Sequence, residues 1–245
     1  MVIQECEQAL DFFEDKKGVY SSSYLFFYLT VGVTNIALSR YEDAEARLIK
    51  AMAYAPKNSR NDLILQFYRT LAALHAGQYD QAYECFLLHR QCSDRKLQQQ
   101  FTIVEAYCFF LILKGKIKPT KLLRVSKNLN KLLQVSVDSN DQNVNILIAQ
   151  LLVYLVRDRN KFILQVKSAK IYCTQKLANK AFERSKLFIK ILSLLPKANF
   201  HGPALQQLAK SQIQKLHTYP VQLGNNMELE IIPFEVILKM ILKTV

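Results

Sequence analysis

Glycine and proline are scarce in this chain, six of each among 245 residues, and tryptophan is missing altogether. So little glycine leaves almost no material for a phosphate-cradling loop, and GxGxxG, GxxxxGK[ST] and HExxH are all missing. The same scarcity argues for long helices joined by short turns rather than for many strands. Apolar runs such as 24–38 and 145–156 are too short to cross a bilayer as a helix, which needs about 20 residues. Met1 leads straight into a charged stretch with no basic region and apolar run, so no secretory leader is expected. The five cysteines, Cys6, Cys85, Cys92, Cys108 and Cys173, are odd in number and scattered. They point to a reduced, cytoplasmic chain without a disulfide framework.

Acidic residues are scarce in one half only. Residues 1–113 carry 11 Lys and Arg against 13 Asp and Glu, a net of −2. Residues 114–245 carry 22 against 7, a net of +15, and the two halves make up the overall +13.

What the chain has is hydrophobic residues, 50% of the total, set at helical spacing. The clearest stretch is 25–56, LFFYLTVGVTNIALSRYEDAEARLIKAMAYAP. From Tyr24 to Leu38 there is no charge and no proline, so the first helix there is expected to be buried on most of its circumference. A turn at Ser39, Arg40 and Tyr41 precedes Glu42 and Asp43, acids placed to suit a helix N-terminus. Ala44, Leu48 and Ala51 then fall on one face of a second helix, which Pro56 closes.

These residues resemble the tetratricopeptide repeat, a helix pair with an aromatic residue, a Leu-Gly pair and a run of small residues before a closing proline. Tyr28 stands for the aromatic, Val31 and Gly32 for the pair, and Tyr41, Ala44, Leu48, Ala51 and Pro56 for the second helix. Asn35 departs where the motif has tyrosine. Small Gly32, Ala44 and Ala51 would let the helices approach closely, with Tyr28 and Leu48 filling the gap. A second unit spans 61–94, with Asp62 as expected cap, Leu63, Phe67, Leu71 and Leu74 inside, and Gly77 at the turn before Ala82 and Phe86. Ala9 and Phe13 repeat the second-helix spacing, so the chain is expected to start inside a repeat. The resemblance covers residues 3–115.

Beyond it the spacing predicts helices over 97–114, 120–135, 143–156, 162–173, 177–195 and 203–216, with a charged turn at 157–161. Residues 228–232 alternate in character, and Pro233 starts a last helix over 234–243. The expected fold is therefore all-α, a right-handed α-α superhelix of about five helix pairs. Its sections are tetratricopeptide-like repeats at 1–115, basic helical hairpins at 116–226 and a cap at 227–245, within one domain.

Three candidate sites emerge. Cys85, His89 and Cys92 share a helix face, which suggests zinc; without a CxxC knuckle, thiols filling a helix interface is the plainer reading, so no metal and no cofactor is expected. His201 and His217 have no nucleophile or carboxylate pattern beside them, and no catalytic residues are expected. In proteins similar to this one, the first helix of each pair lines a groove for extended peptides. Here that role falls to Phe26, Leu29, Val33, Phe67 and Leu71, an apolar set without the lysine-asparagine clamp some such grooves use for a terminal carboxylate. The plainer reading is that those faces pack on other helices. Finally, Lys161, Lys167, Lys170, Lys176, Lys180, Arg184, Lys186 and Lys190 meet one acid, Glu183. On that basis Lys176, Lys180 and Arg184 are expected on a positive surface for an acidic protein or nucleic acid, or on a merely solvated face. The function expected is protein–protein scaffolding without catalysis or membrane contact, with nucleic-acid binding by the basic half as the alternative.

Overall fold

The computed structural model describes residues 2–13, 21–90, 92, 94–119, 127–134, 144–176, 182–219 and 230–244. Among them the protein is all-α, with thirteen helices and no strand. It packs as two compact units, Met1–Phe101 and Thr102–Val245.

The first unit contains α1 (Val2–Phe13), α2 (Ser21–Ala37), α3 (Tyr41–Met52), α4 (Arg60–His75) and α5 (Tyr79–His89). Helices α2 and α3 form one hairpin and α4 and α5 the next. The small residues do what the pattern implies: Ala44, Leu48 and Ala51 are wholly buried, and a Cβ on Gly32 would stand 2.8 Å from Leu48 Cγ and Cδ2. Tyr24 stacks on Tyr54 at 4.9 Å, and Tyr28 stacks on the same ring at 6.0 Å. Two local expectations are corrected. Ser59, not Asp62, is the N-cap of α4: its side chain accepts from the Asp62 N–H, while the Asp62 carboxylate accepts from the Asn58 N–H. In α1 the buried residues are Cys6 and Leu10, while Ala9 is half-buried.

A single cap design ends three alternate helices, α2, α4 and the next. Helix α6 (Arg95–Leu113) stops at Gly115 as α4 stops at Gly77 and α2 at Ser39, each with positive φ. In all three the next N–H reaches back five residues, Arg40 to Asn35 O, Gln78 to Ala73 O and Lys116 to Leu111 O, which satisfies end-of-helix carbonyls. The intervals 77 − 39 and 115 − 77 are both 38 residues.

The second unit takes in most of α6, then α7 (Lys127–Gln134), α8 (Val144–Arg157), α9 (Arg159–Lys176), α10 (Glu183–Leu192), α11 (Gly202–Leu208), α12 (Lys210–Thr218) and α13 (Phe234–Thr244). Phe101, which closes the first unit, and Val104, Tyr107, Cys108 and Leu111 along α6 are fully buried, as their spacing predicts. Helix α8 is buried nearly all round. Its Gln150 donates to Leu132 O and its Tyr154 to Leu133 O, which ties down the last carbonyls of α7. The expected turn at 157–161 shrinks to Asp158, whose carboxylate accepts from the Lys161 N–H and starts α9 at once. The helix expected over 203–216 breaks at Ala209. Residues 231 and 232 form a bend where the alternation at 228–232 suggested one short extended segment, and residues 228 and 229 lie outside the described residues.

Candidate functional site

The apolar set assigned to a groove splits in two. On α2, Phe26 is 61% exposed, and Leu29 and Val33 are half-buried. Three and seven residues apart, they share one face of the helix. This corrects the expectation that α2 is buried on most of its circumference. The positions 38 residues later behave differently: Phe67 (29 + 38) and Leu71 (33 + 38) are buried on α4. Phe67 meets the edge of Phe101 at 5.8 Å, with ring planes at 89°. Phe67 and Leu71 are therefore core residues and cannot line an open surface. What remains is a stripe on α2.

The basic patch also changes. Arg184 is 1% exposed and makes no surface. Its Nε donates to Glu230 Oε1, Nη2 to Glu230 Oε2 at 3.0 Å and to Glu235 Oε2 at 2.8 Å, and Nη1 to Leu216 O at 2.8 Å and Tyr219 O at 2.6 Å. All five guanidinium N–H groups are thus used. Burial alone would lower the Arg184 pKa, but the hydrogen bonds to Glu230 and Glu235 outweigh it and hold it up. Burial pushes the Glu230 carboxyl up, and Arg184 and the Phe234 N–H pull it back. Arg184 is a buried tie between α10, the end of α12 and the start of α13. Lys180 lies outside the described residues, as does the side chain of Lys176, the last residue of α9. Lys186 is paired with Glu183 at 2.6 Å.

The thiols are arranged for packing. Cys85 is half-buried, and His89 Nδ1 lies 3.0 Å from the Cys85 carbonyl oxygen, within the helix's own turn. Among the described residues no cluster of three or more His, Cys, Asp or Glu is placed to hold a metal ion. Burial pushes the thiols of Cys6, Cys85, Cys92 and Cys108 up, away from the thiolate form that attacks electrophiles or binds metals.

Among the clefts of the described residues, two larger ones were not foreseen. In the first unit a cleft of 730 Å³ runs beside α3, with Tyr41, Glu42, Glu45 and Ile49 facing Ala76 and Gln81. Glu45 is engaged by Arg69 at 2.6 Å. In the second unit a cleft of 420 Å³ holds Lys114, Arg157, Asp158, Arg159 and Phe200. Burial and the neighbouring Arg159 lower the Lys114 pKa, and Arg159 lies over the Phe200 ring at 4.8 Å. No sequence motif marks either, because each is walled by separate segments, 39–49 with 72–81 in the first and 113–114, 155–159 and residue 200 in the second. No helix of the described residues is long and apolar enough to cross a membrane. No family model, curated protein or solved structure matches the chain.

Proposed function

We propose that the chain is a non-catalytic helical-repeat scaffold of the reducing cytoplasm that binds a segment of a partner protein. In this reading the hairpins wind into a right-handed superhelix of tetratricopeptide-like units. The 38-residue recurrence of the helix cap and the small-residue seam at Gly32, Ala44 and Ala51 support it.

The observation that carries the binding role is the α2 stripe. Phe26, Leu29 and Val33 stay partly open to solvent, whereas the counterparts of Leu29 and Val33, at Phe67 and Leu71, are covered. A row of apolar side chains on a helix without a charge is suited to an extended apolar peptide. The test is selection of a displayed random-peptide library on the full chain, followed by affinity measurement with Phe26→Asp and Val33→Asp. Apolar peptides should be enriched, bind with weak salt dependence, and lose about tenfold or more in each variant, or about 1.4 kcal/mol. Peptides that bind both variants as tightly as the native chain would sink the reading.

A further inference from the structure

Helix α9 carries two apolar stripes on opposite sides. Phe162, Val166, Ala169 and Cys173, spaced at four, three and four, are buried towards α8 and α10. The opposite side presents Leu164, 67% exposed, and Ile171, 57% exposed. Seven residues apart, these two lie within about 20° of each other around the helix axis. Their direction points away from the inner stripe.

The charges around this outer stripe are of one sign. Lys161 and Lys167 flank it and are exposed, Arg159 and Lys170 are exposed further round the helix, and the eighteen residues of α9 include no Asp or Glu. Lys167 stands between Leu164 and Ile171 in sequence, beside their stripe, and Lys161 lies on its other flank. The acids next in sequence on either side are engaged: Asp158 is 3.7 Å from Lys161 Nζ, and Glu183 of α10 is paired with Lys186. A face that only needs solvation mixes both signs and keeps large aliphatic side chains out of water. This one does neither.

We propose that the outer face of α9 docks an acidic amphipathic helix of a partner protein. Leu164 and Ile171 meet the partner's apolar stripe, Lys161 and Lys167 meet the carboxylates on its flanks, and Lys170, further round the helix, adds to the positive field. Two anchors one heptad apart are the spacing at which one helix reads another. The charge complement selects acidic partners and speeds encounter, while the aliphatic pair sets how long the complex lasts. Single-stranded nucleic acid fits less well, since such sites stack bases on aromatic rings and this stripe is aliphatic. A membrane surface fits less well too: interfacial helices bury a broad apolar face, and here it is two residues wide. The surface belongs to the second unit and the α2 stripe to the first, so Phe26→Asp should leave it intact.

The test uses the full chain and fluorescence anisotropy. The probe is a fluorescein-labelled peptide of two Leu-Glu-Glu-Leu-Leu-Glu-Glu heptads, with a scrambled peptide of equal composition as control. The native chain should bind the probe saturably and the scramble about tenfold more weakly. Leu164→Ser with Ile171→Ser should weaken binding about tenfold without moving the thermal midpoint, because both side chains face water. Changing Lys161, Lys167 and Lys170 together to Gln should weaken binding at low salt and flatten its salt dependence. Absence of saturable binding, or equal binding by the Ser variant, would overturn the proposal. So would binding of a dT oligonucleotide or phosphatidylserine vesicles that the Gln variant loses and the Ser variant keeps.

Discussion

Arg184 Nη2 donates to Glu230 Oε2 at 3.0 Å while Nε donates to the other oxygen of the same carboxylate, a two-pronged pair closed off from solvent across 46 residues of sequence. The pair is not isolated. Glu230 also accepts from the Phe234 N–H at 3.1 Å, so it caps α13, and Phe234 stacks on Phe188 at 4.4 Å. One guanidinium therefore joins three helices through charge, cap and ring.

Removing the guanidinium from such a buried set leaves its carboxylates without the positive charge that offsets theirs. Arg184→Met should destabilise the second unit by about 3–5 kcal/mol, read as a lowered urea midpoint. Arg184→Lys should rescue little, since an ammonium cannot reproduce the planar five-donor fork. A Met variant with an unchanged midpoint would mean that the pair contributes nothing to stability.

The seam of the first hairpin gives a second expectation. Gly32→Ala would push a methyl against Leu48, itself wholly buried and unable to swing into solvent, at about 1–3 kcal/mol. Adding Leu48→Ala should make the double variant less unstable than the sum of the singles, because the second change removes the clash made by the first. Ala82→Leu should be destabilising by a similar amount, since Ala82 is wholly buried, whereas Ala53→Leu on the exposed side of the turn should be mild. Strict additivity at Gly32 and Leu48 would refute the close approach.

The hairpin seam was legible because its signal is local: glycine and alanine at fixed offsets within one helix pair state where backbones meet. Arg184 was not. It sits among lysines, its acceptors lie at 216, 219, 230 and 235, and helical spacing cannot see them. Phe26 and Phe67 show a second limit. Each lies on the apolar face of a hairpin's first helix, and Phe67 meets Phe101 of α6, a contact that helical spacing does not show. The α9 surface was half legible. The run of lysines was visible, but assigning the outer face required knowing which of two apolar stripes is buried.

A closer backbone approach exists at Gly202, at the start of α11. A Cβ there would fall on the carbonyl oxygen of Leu242 and within 2.8 Å of its carbonyl carbon, in α13. Unlike Leu48, a main chain inside a helix cannot turn aside. Gly202→Ala should therefore cost at least as much as Gly32→Ala and should loosen α13 selectively. Faster amide hydrogen exchange along Phe234–Thr244, with α9 unaffected, is the expected signature.

The last expectation concerns pH and the start of α6. Asp94 Oδ1 accepts from the Leu97 N–H at 3.1 Å and the Lys96 N–H at 2.9 Å, and Oδ2 lies 3.1 Å from Arg60 Nε. These hydrogen bonds, led by that from Leu97, hold its carboxyl below the ordinary value of 3.8. A folded-state pKa below the unfolded one means that the unfolded chain takes up its proton first as acid is added. The stabilisation is thus complete above the ordinary carboxylate value and is lost as pH falls through the depressed one. Asp94→Asn keeps an oxygen that can cap the helix but removes the charge, so its melting temperature should fall less with acid than that of the native chain. Asp94→Ala should melt lower than both at neutral pH. If the native and Asn chains lose stability in parallel between pH 5 and pH 2, over about the range in which carboxylates titrate, then the Asp94 cap carries no charge-dependent stabilisation and the acid sensitivity of the fold lies with other carboxylates.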